Sequence, residues 1–236
     1  MISRLIVALD VNAEPKALEL VTALGVDCDF YKVGSELFTA VGPSIIEKLA
    51  ERGKSVFLDL KFHDIPATVR SAARSAAESG AKLITVHASG GLNMLEAAVE
   101  GAGFSCGVLG VTILTSLASE QLAETWGRPF VDASTEAKRL ASIARSAGAR
   151  GVVCAGTEVS TIRNAFGDGF EILVPGLRMA GGASHDQVRI VTPREAADSG
   201  ATYLVLGRIV TSRPDVTAAL REVRESLHQE PLTTDR

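Results

Sequence analysis

The chain has 236 residues, 46% hydrophobic and 22% charged, with a formal net charge of −4. That balance suits a folded protein with a full core, and its acidity argues against a nucleic-acid surface, which would show a basic patch or stripe. The sequence holds no 18-residue apolar run of the kind a membrane span needs.

The cysteines, Cys28, Cys106 and Cys154, are three and widely spaced. An odd, scattered set reads as free thiols in a reducing compartment, not as a disulfide framework. His63, His87, His185 and His228 show no metal-ligand spacing with one another or with the cysteines. Met1-Ile2-Ser3-Arg4-Leu5-Ile6-Val7 enters a strand pattern at once, without the form of a signal peptide. The expectation is a soluble cytoplasmic protein with neither nucleic acid nor membrane as partner.

In chain order, short β-rich runs alternate with helical stretches. The first run, Leu5–Leu9, ends at Asp10. A helix follows, with Ala17, Leu18, Val21 and Leu24 on one face. The second run, Phe30–Val33, holds Lys32 within it. Ile45, Ile46, Leu49 and Ala50 mark the next apolar helix face. The third run, Ser55–Leu60, leads into Asp59-Leu60-Lys61-Phe62-His63-Asp64-Ile65-Pro66-Ala67-Thr68. Side chains alternate along a strand, so Asp59 and Lys61 point one way, with Leu58 and Leu60 opposite. Pro66 suits the first turn of a helix. Asp64 reads either as that helix's N-cap or as a functional group sharing a face with Thr68, four residues on.

The fourth run, Leu83–Val86, ends at His87, and the fifth, Gly107–Val111, enters Thr112-Ile113-Leu114-Thr115-Ser116. After the alanine-rich stretch Ala137–Ala147 come Gly151–Val153, Glu171–Val174 and Tyr203–Leu206. The last two lead into Pro175-Gly176-Leu177-Arg178 and Gly207-Arg208. Gly25, Gly53, Gly80, Gly148 and Gly200 stand where helices end, a place that favours a left-handed residue. The eight runs carry little internal polarity, as strands covered on both faces do.

Eight β-α units without a linker predict a single-domain (β/α)8 barrel over residues 1–228, in the α/β class. Residues 229–236 are polar and read as a flexible tail. An open doubly wound sheet is the alternative, but it lacks a GxGxxG after the first strand. In a barrel, function collects at the C-terminal ends of the strands. Asp10, Lys32, Asp59, Lys61, Arg178 and Arg208 all stand at such ends. Burying so many ions costs several kcal/mol each unless they are paired, which predicts a charged mouth rather than a plain core. Arg178 and Arg208 follow the seventh and eighth runs, where barrels of this type often bind phosphate. Gly181-Gly182-Ala183-Ser184 predicts a loop able to close as a lid, with Gln187 at its far end.

These residues make the chain resemble the orotidine 5′-phosphate decarboxylase family, of the bacterial type, over nearly its whole length. The resemblance rests on Asp59-x-Lys61-x-x-Asp64-Ile65-Pro66-x-Thr68, Thr112-x-Leu114-Thr115-Ser116, Pro175-Gly176-x-Arg178, Asp186-Gln187-x-Arg189 and Gly207-Arg208. It implies a homodimer that decarboxylates orotidine 5′-monophosphate to uridine 5′-monophosphate, with no metal and no organic cofactor. It implies Lys61 as the proton donor to C6 and Asp59 as the carboxylate facing the substrate's own. Lys32 and Asp64 would complete the charged array, Asp64 coming from the neighbouring subunit, with Thr68 likewise reaching across to the ribose. Asp10 and Lys32 would hold ribose hydroxyls, Thr115 the pyrimidine, and Arg178, Gln187, Gly207 and Arg208 the phosphate. Met179 and Ile209 stand where the family commonly has Pro, and Ala67 where it often has Asn. A related Mg2+-dependent sugar-phosphate decarboxylase or aldolase shares the Asp-x-Lys-x-x-Asp strand end. Ile65-Pro66-x-Thr68 and Gln187 favour the nucleotide enzyme.

Overall fold

The computed structural model describes residues 3–179 and 191–228. Gln187, the Gly181–Ser184 stretch and the 229–236 tail lie outside those residues. Strands and helices alternate: β1 (Arg4–Ala8), α1 (Glu14–Leu24), β2 (Phe30–Gly34), α2 (Ser35–Val41) and α3 (Ser44–Glu51). Then come β3 (Ser55–Phe62), α4 (Pro66–Glu78), β4 (Leu83–His87), α5 (Leu92–Ala102) and β5 (Gly107–Val111). The chain continues through α6 (Ser119–Thr125), α7 (Ala133–Ser146), β6 (Gly151–Val153), α8 (Val159–Phe166) and β7 (Glu171–Val174). It ends with α9 (Pro193–Asp198), β8 (Tyr203–Leu206), α10 (Arg208–Thr211) and α11 (Val216–His228). The eight strands pair in sequence order, all parallel, and β8 closes on β1 as a barrel.

The expected runs fall within a residue or two of the observed strands, with Gly25, Gly53, Gly80, Gly148 and Gly200 all at positive φ. The third run differs most, since β3 continues two residues further, through Lys61 to Phe62. The short helices α2, α6 and α10 were not legible, being too brief to show a helical period.

Alternation along the strands divides the apolar residues into two cores. Ile6, Ala8, Phe30, Phe57, Leu83, Leu109, Leu173 and Val205 fill the barrel. Val7, Leu9, Tyr31, Val33, Leu58 and Ile84 face outward against the helices. The inward columns change character toward the C-terminal mouth. Ile6 and Ala8 give way to Asp10, Phe30 to Lys32, Phe57 to Asp59 and Lys61, and Leu83 to Thr85. An apolar plug thus supports a charged upper layer, the arrangement that puts chemistry at this end of a barrel. Outside the barrel, α4 and α5 pack closely because Gly101 lies against the backbone of Arg70. No helix among the described residues is long and apolar enough to cross a membrane.

Candidate active site

At the mouth of the barrel, Asp10, Lys32, Asp59, Lys61, Thr115, Arg178, Gly207 and Arg208 line one cavity of about 250 Å³. Its walls are completed by apolar residues that include Val111, Ile113, Leu173 and Pro175. An apolar wall around a few placed charges is the usual make-up of a small-molecule site.

Two ion pairs occupy the upper layer. Lys32 Nζ donates to Asp10 Oδ1 at 2.6 Å. Lys61 Nζ donates to both oxygens of Asp59, at 2.9 and 2.8 Å. The Asp59 side chain is only 13% exposed and that of Lys61 35%. Asp59 is therefore the more buried partner of the pair.

Lys61 has φ +52°, the single positive φ of a non-glycine among the described residues. The cause lies in the sheet: Leu58 pairs with Ile84 and Phe62 with Val86, so β3 carries extra residues between those points. Such a bulge breaks the ladder and re-aims side chains, and bulges concentrate beside active sites. The freed Lys61 amide donates to Thr85 Oγ1 at 2.9 Å, and Thr85 Oγ1 donates to Asp59 Oδ1 at 2.9 Å. The sequence reading missed Thr85. Its signal was a lone hydroxyl at an inward position of an otherwise apolar run.

His63 and His87 lie beside this group, their rings 5.3 Å apart. Burial holds the His87 imidazole below its ordinary value of 6.5, and the nearby His63 and Lys61 add to that shift. At the opposite rim, Arg178 Nη1 donates to Leu177 O at 2.7 Å. Gly207 precedes α10, with φ −95° and ψ −121°, and among the described residues beyond its chain neighbours nothing lies within 4 Å of where a Cβ would stand. Its effect is to keep the cavity wall open beside Arg208.

Asp64 and Thr68 do not join the cavity; both are exposed on the outer lip, with Ile65 66% exposed between them. Asp64 is also not the N-cap of α4. Ile65 is, and Asp64 Oδ1 instead accepts from the Ile65 amide at 2.7 Å. Pro66 occupies the first turn and keeps Ile65 extended, at ψ 150°, so Asp64 sits one residue too early to cap.

The model of the Orotidine 5′-phosphate decarboxylase / HUMPS family matches residues 3–223. An orotidine 5′-phosphate decarboxylase of Laribacter hongkongensis is 44% identical over 230 residues, covering 96% of this chain and 93% of that one. One of Anaeromyxobacter sp. (strain K) is 46% identical over 224 residues, covering 95% and 98%. The crystal structure of the orotidine 5′-phosphate decarboxylase of Lactobacillus acidophilus superposes with a TM-score of 0.84 at 33% identity, covering 96% of this chain and all of that one.

Proposed function

The chain belongs to the orotidine 5′-phosphate decarboxylase/HUMPS family as a carboxy-lyase of pyrimidine nucleotide synthesis, and from that premise we propose that Lys61 protonates C6 of orotidine 5′-monophosphate without help from a metal or organic cofactor. The main support is the Lys61–Asp59 pair, set in a cavity whose far rim carries Arg178 and Arg208. As the bond from C6 to the carboxylate breaks, its electron pair stays on C6 and the carboxylate departs as CO2. A fixed ammonium stabilises that charge as it develops. The same Lys61 Nζ then gives its proton to C6, yielding uridine 5′-monophosphate, and regains a proton from water.

Asp59 serves two ends in this scheme. It anchors Lys61 through both its oxygens. It also meets the substrate carboxylate as a like charge, raising the energy of the bound substrate. Arg178, Gly207 and Arg208, with Gln187, hold the phosphate far from C6, so remote binding energy positions the reacting ring. Asp10 and Lys32 take the ribose hydroxyls and Thr115 the pyrimidine. Lys32 also extends the charged array.

We assign Asp64 and Thr68 to the neighbouring site of a homodimer. Their exposure outside their own cavity, around the exposed Ile65, supports this assignment. Three unbridged, buried cysteines suit a reducing cytoplasm.

The decisive assay follows the ultraviolet absorbance of orotidine 5′-monophosphate on adding the purified protein with EDTA present. A catalytic fall is expected. Absence of turnover overturns the proposal, and activity that EDTA removes and Mg2+ restores would favour the metal-dependent branch of the family.

A further inference from the structure

We propose that Thr85 is a positioning residue whose single hydroxyl sets both the backbone of Lys61 and the carboxylate of Asp59; this inference rests on the decarboxylase reading above. Thr85 is fully buried at an inward position of β4. Its Oγ1 accepts from the Lys61 amide and donates to Asp59 Oδ1, each at 2.9 Å. A hydroxyl has one proton and two lone pairs, so it can do both at once. The isosteric valine can do neither.

The bulge makes this contact necessary. Between Leu58 and Phe62, β3 departs from its register with β4, and the Lys61 amide needs a buried partner other than a strand carbonyl. Lys61 moreover holds a left-handed conformation that non-glycine residues seldom adopt. Such a conformation persists where the surroundings over-determine it. Thr85 supplies one of those constraints from the amide side. From the other side it fixes one oxygen of Asp59, and Asp59 fixes Lys61 Nζ. The ammonium is thus held at both ends, through its backbone and through its counter-ion, by one side chain of the next strand. Phosphate and ribose are gripped by residues of other strands, so their binding does not depend on this hydroxyl.

The experiment compares the protein with its Thr85→Val and Thr85→Ser variants on orotidine 5′-monophosphate, with thermal melts of each. Misplacing a catalytic group by a fraction of its reach costs about 10- to 100-fold. A fall in kcat of that size is expected for Thr85→Val, with KM within about twofold of the parent. Thr85→Ser keeps the hydroxyl and is expected to retain most of kcat. An unchanged kcat in Thr85→Val overturns the proposal, as does a Thr85→Ser variant equally impaired. Should Thr85→Val not fold, Thr85→Ala carries the same comparison.

Loss of activity in the parent protein would instead overturn the decarboxylase reading. A crystal structure of the valine variant then decides the positioning role alone. The Lys61 backbone or the Asp59 carboxylate is expected to turn away, and unchanged geometry would refute it.

Discussion

Asp59 holds Lys61 Nζ with both carboxylate oxygens although only one residue separates them along β3. Strand alternation puts both side chains on the barrel's inner face, and the bulge at Lys61 sets the angle at which they meet. Two hydrogen bonds within one strand hold the ammonium in a fixed place, and a fixed charge is what electrostatic catalysis uses.

Replacing Lys61 by alanine tests the role of that ammonium. Lys61→Ala is expected to lower kcat by about 10³-fold or more, because under the proposed mechanism it removes both a charge stabiliser and the proton donor. Uridine 5′-monophosphate should still bind, since the phosphate and ribose contacts remain. Calorimetric titration alongside the absorbance assay measures both, and near-parental turnover would remove Lys61 from its role.

The phosphate rim is tested at Arg208. A hydrogen bond to a charged group contributes about 1.5–3 kcal/mol. Arg208→Ala should accordingly lower kcat/KM by about 10- to 100-fold. An unchanged value would refute the phosphate assignment.

The neighbouring-subunit role proposed for Asp64 gives a complementation test. Lys61→Ala and Asp64→Ala should each be impaired alone. Mixed and reassembled, about half of the dimers would be hybrid, each with one intact site, restoring about one quarter of parental activity. No recovery on mixing would place Asp64 in its own subunit's site.

His87 predicts a pH effect on stability. Its folded-state value lies below the ordinary 6.5, chiefly through burial, with His63 and Lys61 facing it and Asp59 opposing the shift. The unfolded chain therefore binds more protons as pH falls. The stabilisation from a neutral His87 is complete above about pH 6.5 and is lost as pH drops through the lower folded value. Melting temperature should fall more steeply below pH 6.5 in the parent than in His87→Gln. Parallel curves would remove His87 as a cause.

Gly101 predicts a purely structural cost. A Cβ there would overlap the carbonyl oxygen of Arg70 across the α4–α5 contact. Backbone cannot give way as a flexible side chain does, so Gly101→Ala should destabilise the fold by about 1–3 kcal/mol. Urea denaturation measures the loss.

Much of the barrel was legible from local pattern. Apolar runs such as Gly107–Val111 and Gly151–Val153 match strands residue for residue, because a strand buried on both faces leaves a short unbroken apolar run. Strand parity also marked Asp59 and Lys61 as neighbours before any fold was known. Asp64 was misjudged as a possible cap because helix starts are set by backbone angles at Ile65 and Pro66, which composition alone does not resolve.

The sequence by itself determined the eight-fold alternation, the charged strand ends and the Asp59–Thr68 motif, since these follow from side-chain periodicity and residue chemistry within a short window. Only the tertiary structure decided that Thr85 joins Asp59 and Lys61, that Lys61 is left-handed, and that Asp64 does not line its own cavity. Those facts depend on the register between β3 and β4. Register is settled by how whole strands pack around a closed barrel, not by any one stretch of chain.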